Sequence, residues 1–155
     1  MILSGDTIRR LGILSPCEER QQHSHSGCSF GLSVCGYDVR LDQDIDLVPG
    51  RTVLASTLEE FRMPDDVVGI VHDKSTWARR GISVQNTVIE PGWRGYLTLE
   101  ILLSPLLSSR QEEGAGISLP AGTPIAQVIF HRVDQQTEGY SGKYQNQERG
   151  PQEAR

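Results

Sequence analysis

Glycine and proline interrupt this chain so often that no long helix fits between them. Sixteen glycines and eight prolines are spread over 155 residues, and the segments between them are short and mostly alternating. The clearest is 96–103. Leu97, Leu99, Ile101 and Leu103 fall on one face, and Tyr96, Thr98, Glu100 and Leu102 on the other. A period of two marks a strand with one buried face. Residues 36–41 alternate in the same way. Pro49-Gly50 turns the chain into a strand over 51–57, and the turn 63–66 leads into 67–72. A strand over 82–89 precedes Pro91-Gly92, and 124–133 is the last strong strand. Ser4 is placed to cap a short helix through Ile8 and Leu11 that Gly12 stops. Residues 15–36, rich in Ser, Gly, Cys and His, read as loop, and 104–116 as a polar loop. Short strands with one or two small helices predict a mostly-β fold of barrel or jelly-roll type.

Hydrophobic residues make up 37% of the chain, enough for the modest core of one domain. Twenty acidic against fifteen basic residues give a net charge of −5 with no basic stripe. A nucleic-acid partner is therefore not expected. The longest apolar stretch, near 97–103, is too short to span a bilayer and is broken by Glu100, so no membrane role is expected. Residues 1–6 show no basic region followed by an apolar run, so no secretory signal is visible and a cytoplasmic location is expected. Cys17, Cys28 and Cys35 are odd in number, without CxxC spacing, which fits reduced thiols. His23, His25 and Cys28 can be drawn as metal ligands with Cys35 as the nearest fourth. A zinc site needs about four convergent ligands, and the plainer reading is a polar loop. From Asp134 onward apolar residues almost vanish, so this tail is expected to be disordered unless it folds over something.

Two places carry chemistry. Residues 73–81 read as a small helix with Ser75 as N-cap and Gly81 as stop. A helix N-terminus suits a phosphate. Lys74 lies at that end, and Arg79, four residues after Ser75, shares its face. The plain alternative is a surface helix with solvated charges. The second place is Glu100. A mid-strand glutamate is commonly a solvated outward residue, but a half-buried carboxylate of raised pKa makes a competent general base.

Taken in order, residues 1–4 (Met-Ile-Leu-Ser), 36–41 (Gly-Tyr-Asp-Val-Arg-Leu), 49–57, 74–81 (Lys-Ser-Thr-Trp-Ala-Arg-Arg-Gly), 90–95 (Glu-Pro-Gly-Trp-Arg-Gly), 97–100 (Leu-Thr-Leu-Glu) and 142–147 (Gly-Lys-Tyr-Gln-Asn-Gln) form a pattern. It resembles the dCTP deaminase branch of the dUTPase-like superfamily nearly end to end. The resemblance implies a distorted jelly roll over 1–133, a C-terminal lid over 134–155, and a homotrimer with active sites between subunits. It also implies zinc-independent hydrolysis of dCTP to dUTP and ammonia, with Mg2+ carried by the triphosphate. Zinc deaminases show HxE with PCxxC, and neither occurs here. By the same resemblance Glu100 is the catalytic base, assisted by Arg79 and Ser75. The segment Lys74, Ser75, Thr76, Trp77, Ala78 and Arg79 holds the triphosphate. Glu90 meets the deoxyribose, and Thr98 and Leu99 belong to the substrate strand. Lys143, Tyr144 and Gln147, with Tyr140 as a looser match, close over the phosphates.

Two departures bear on the pocket. Glu90 stands where relatives usually carry aspartate, and residues 81–90 are a shortened hairpin. Two other readings stand beside deamination: a dUTP pyrophosphatase, alone or combined with it, using Glu90 to orient water, and a non-catalytic nucleotide-binding trimer.

Overall fold

The computed structural model describes residues 1–105 and 116–154; most of the polar loop expected over 104–116 lies outside them. After helix α1 (Gly5–Leu11) come strands β1 (Leu14–Ser15), β2 (Gln21–Gln22), β3 (Ser29–Leu32), β4 (Tyr37–Arg40), β5 (Ile45–Leu47), β6 (Thr52–Arg62) and β7 (Val67–Asp73). Helix α2 (Ser75–Ala78) then leads to β8 (Ile82–Val84), β9 (Val88–Ile89), β10 (Arg94–Leu103), β11 (Ile117–Leu119) and β12 (Pro124–Arg132). The strands form an antiparallel sheet in the order β1-β6-β10-β8, a second in the order β2-β3-β4-β12-β7-β9, and the pair β11-β5. The two larger sheets enclose the core. Phe61 of β6 meets Phe130 of β12 at 6.4 Å between ring centroids and Trp93 at 6.2 Å. Strand β10 buries Leu97, Leu99, Ile101 and Leu103, as its alternation predicts.

Several expectations need correction. Residues 15–36 are not all loop. They hold β2, β3 and the end of β1, ladders of two to four residues that are too short to show a period. The strand expected over 51–57 runs on to Arg62. Its second half hides a fully buried carboxylate: Glu59 accepts from Arg40 N–H at 2.9 Å and from Arg40 Nε at 2.8 Å. Desolvation raises the Glu59 pKa, with the Arg40 contacts opposing it. The single strand expected over 82–89 is two strands separated by a turn at 85–87.

Helix α1 matches its expectation. Ser4 Oγ accepts from Thr7 N–H, and Gly12 closes the end with φ +64°. Helix α2 is a single turn whose N-cap is Lys74, not Ser75, and no side chain caps it. Strand β7 runs one residue further than expected, to Asp73, and the helix begins one residue earlier, at Ser75, which leaves Lys74 as the single residue between them and so the N-cap. The carboxylate of Asp73 instead accepts from Val84 N–H at 2.7 Å, tying β7 to β8. Among the described residues no helix is long and apolar enough to cross a membrane.

Candidate active site

The outer face of β10 forms one wall of a cleft of about 560 Å³, within the range of roughly 300–1,000 Å³ usual for small-molecule sites. Glu100 and Thr98 project into it, Thr87 to Glu90 form the opposite lip, and Trp93 and Leu97 supply apolar surface. Glu100 is half-buried. Its carbonyl accepts from Gln85 N–H at 3.0 Å, and its Oε2 accepts from Thr87 Oγ1 at 3.2 Å.

The tail covers this cleft instead of wandering. Tyr140, Tyr144, Gln147, Gln152 and Glu153 line it. The reason lies in hydrogen bonds rather than apolar burial. Trp93 Nε1 donates to the Tyr144 carbonyl at 2.7 Å. The Gln145 amide donates to the carbonyls of Gly92 (2.9 Å) and Tyr140 (2.7 Å), while its oxygen accepts from Arg94 N–H at 2.8 Å. Gln147 then pairs with β10 beside Gly95: Tyr96 N–H donates to the Gln147 carbonyl at 3.0 Å and Gln147 N–H to the Arg94 carbonyl at 3.3 Å. Gly95 has φ +135°, and a Cβ there would lie 2.5 Å from the backbone N and O of Gln147. Only glycine admits the tail so closely. Thr98 Oγ1 accepts from Gln147 Nε2 and from Gln152 N–H, and Arg149 pairs with Asp42. Trp93 and Gln145 escape a sequence reading. An indole N–H seeks an acceptor when buried, but nothing local says where that acceptor lies.

The structure thus brings Glu90, Thr98, Glu100, Tyr140, Tyr144 and Gln147 together. Lys74, Ser75 and Thr76 lie elsewhere, in a second pocket of about 610 Å³ shared with Arg20, Asp38 and Asp73. Lys74 Nζ is paired with Asp38 Oδ2 at 2.7 Å, both side chains being nine-tenths buried or nearly so (10% and 7% exposed). Ser29 Oγ donates to the same oxygen at 3.1 Å, and Asp38 Oδ1 is buried without a hydrogen-bond partner among the described residues. Arg79 is exposed and lines neither pocket. The Trp77 and Leu99 side chains belong to the core, Trp77 Nε1 donating to the Pro124 carbonyl at 2.6 Å. Any contact these two residues make with a ligand runs through their main chain. Ala78 is half-buried on α2, and the Lys143 ammonium sits 4.8 Å from the Tyr144 ring centre. Among the described residues no three His, Cys, Asp or Glu side chains converge as metal ligands; His23 Nδ1 instead lies 2.9 Å from Ser26 Oγ.

The two pockets differ in charge. Among its described lining residues the cleft has three carboxylates, Glu90, Glu100 and Glu153, and no lysine or arginine. The arrangement suits a neutral, hydrogen-bonding ring beside a proton acceptor. It does not suit a polyanion.

A family model described as dCTP deaminase-like matches residues 5–133. A dCTP deaminase of Nitrosomonas eutropha is 33% identical over 95% of both chains. One from Methylococcus capsulatus is 35% identical over 90% of this chain and 89% of its own. Among solved structures, the dCTP deaminase of Agrobacterium tumefaciens superposes with a TM-score of 0.64 at 17% identity, covering 85% of this chain and 48% of that one. The chain thus spans about half of that deaminase. The dUTPase of phage phi11 of S. aureus superposes with a TM-score of 0.56 at 14% identity, over 83% and 92% of the two chains. These structural likenesses concern the fold, a dUTPase-like jelly roll. Alignment over nearly the whole length at this identity, with a family match across the β domain, means that the chain belongs to the dCTP deaminase-like family.

Proposed function

We propose that this protein hydrolyses dCTP to dUTP and ammonia, in sites assembled between copies of a homotrimer. The observation that carries the reading is the separation of the two half-sites. The cleft with Glu100 has room for a base and sugar but no cation among its described lining residues, while the segment from Lys74 to Arg79 lies outside it. A nucleoside triphosphate needs both. A neighbouring copy that presents its 74–79 segment to the mouth of the cleft supplies the missing half, as closed cyclic symmetry allows.

In that site Glu100 takes a proton from water as the water oxygen bonds to C4 of cytosine. The carboxyl passes that proton to N3. The Glu100 carboxylate then takes the proton of the new C4 hydroxyl and delivers it to the exocyclic nitrogen; the C4–N4 bond breaks, ammonia leaves, and C4–O becomes the new carbonyl. Arg79 and Ser75 of the neighbouring copy hold the base and stabilise charge in the tetrahedral intermediate. Glu90 meets the deoxyribose. Residues 134–154, already docked on β10, act as the lid, Tyr140, Tyr144 and Gln147 facing the nucleotide and Lys143 the phosphates. Magnesium arrives with the triphosphate. Asp38 Oδ1, buried beside Lys74–Thr76 and without a hydrogen-bond partner among the described residues, would be the acceptor available to a water carried in by that ion. A nucleotide substrate of this kind supports a cytoplasmic site for the reaction.

The test is product identity. The protein, dialysed against a zinc chelator and resupplied with magnesium, is incubated with dCTP, dCMP or dUTP, and the products are separated by chromatography. Release of dUTP and ammonia from dCTP is expected. Pyrophosphate from dUTP without ammonia from dCTP, or dCTP binding without turnover, overturns the reading.

A further inference from the structure

Thr87 occupies the turn between β8 and β9, and its backbone is fixed on both sides. Thr87 N–H donates to the Gln85 carbonyl at 2.8 Å, and Gln85 N–H donates to the Glu100 carbonyl at 3.0 Å. The Thr87 carbonyl accepts from Val71 N–H of β7 at 3.1 Å. The turn is thus bound to the strand that carries Glu100 and to the opposite sheet, whatever the Thr87 side chain does. A β-branched side chain on so fixed a backbone has few χ1 choices. Its hydroxyl lies 3.2 Å from Glu100 Oε2. Among the described residues Thr87 is the one side chain that hydrogen-bonds this carboxylate, and both residues line the cleft.

We propose that Thr87 is a positioning residue for the deamination: its hydroxyl holds Oε2 of Glu100 so that Oε1 is the oxygen that takes the proton from water and returns it to the base. The inference rests on the function proposed above. A glutamate side chain has three rotatable bonds and, unheld, samples orientations in which neither oxygen meets the attacking water. A misplacement of about 1 Å costs on the order of a hundredfold in rate. A second group that locks a reacting side chain recovers much of that loss. The Thr87 hydroxyl is engaged with Glu100 rather than with substrate, so its removal acts on kcat and leaves KM nearly unchanged.

The experiment uses the full chain with dCTP and magnesium. Thr87→Val keeps the shape and branching but removes the hydroxyl, while Thr87→Ser keeps the hydroxyl. Thr87→Val is expected to lower kcat about tenfold with KM within about twofold, and Thr87→Ser to restore kcat to within about twofold. A Thr87→Val enzyme with wild-type kcat overturns the proposal. So does a Thr87→Ser enzyme as slow as the valine variant, which would assign the effect to the methyl group, or a raised KM at unchanged kcat, which would assign Thr87 to substrate binding. If the valine variant does not fold, Thr87→Ala against Thr87→Ser makes the same comparison. Glu100→Gln, run in parallel, separates the two claims. Turnover by that variant removes the proposed base, whereas a silent Glu100→Gln beside a fully active Thr87→Val removes only the role of Thr87.

Discussion

Gly95→Ala should release the C-terminal tail while leaving β10 in place. The added Cβ would lie 2.5 Å from the backbone N and O of Gln147, and these are main-chain atoms that cannot swing aside. The tail must back away, breaking Tyr96 N–H to the Gln147 carbonyl and Gln147 N–H to the Arg94 carbonyl. The Gln147 amide leaves Thr98 Oγ1 with them. At about 1 kcal/mol net for each of three hydrogen bonds, the docked state loses about 3 kcal/mol, about a hundredfold in the closed-to-open ratio. Hydrogen exchange reads this directly, because the Tyr96 and Gln147 amides are protected only while the tail is docked. Their protection should fall about a hundredfold, trypsin should cut faster after Lys143, and deamination should fall because Tyr140, Tyr144 and Gln147 leave the cleft. Strain at φ +135° would act differently, lowering protection along the buried stretch from Leu97 to Ile101. Unchanged protection at Tyr96, or a loss spread along β10 with no faster cleavage, would refute the role of Gly95 as the seat of the tail.

Lys74→Met should destabilise the fold by about 3 kcal/mol, because it leaves the buried Asp38 carboxylate unpaired. Lys74→Met with Asp38→Asn should recover most of that loss in denaturant melts, and a single-variant cost below about 1 kcal/mol would mean that Lys74 is not held by Asp38. Burial raises the pKa of Glu59, so the folded state holds its proton to higher pH than the unfolded chain, and the associated stability declines as pH rises above the ordinary carboxylate range. The melting-temperature advantage of wild type over Glu59→Gln should therefore be greatest below about pH 4.5, the ordinary value for the group, and shrink as pH rises above it; an advantage that grows with pH contradicts the desolvation argument.

Legibility from sequence followed local periodicity closely. Strand β10 was readable because four aliphatics alternate without a break, and helix α1 because Ser4 and Gly12 punctuate it. The second half of β6 was hidden, since Glu59 and Glu60 look like surface charge until Arg40 is seen to meet Glu59 from β4. Composition alone reads the tail as disordered unless it folds over something, because its docking uses amides and one indole N–H rather than apolar area; only the resemblance marks it as a lid. At the site, the motif residues were legible as a set but not in their grouping. Lys74 finds Asp38 from 36 positions away in sequence, and Ser75 and Glu100 lie in different pockets of one subunit. Those facts depend on how the sheets close, which no local window contains.

Mixing two inactive variants tests the interfacial site most directly. Glu100→Gln and Arg79→Ala chains are each expected to be nearly silent as homotrimers. Unfolded together at equal amounts and refolded, they should form trimers in which some sites pair an intact Glu100 with an intact Arg79 from the neighbour. Random assembly makes about a quarter of all sites intact, so about a quarter of wild-type dCTP deamination should return. Activity no greater than the sum of the two parent variants would mean that Glu100 and Arg79 act from the same chain, and would contradict a site built between copies.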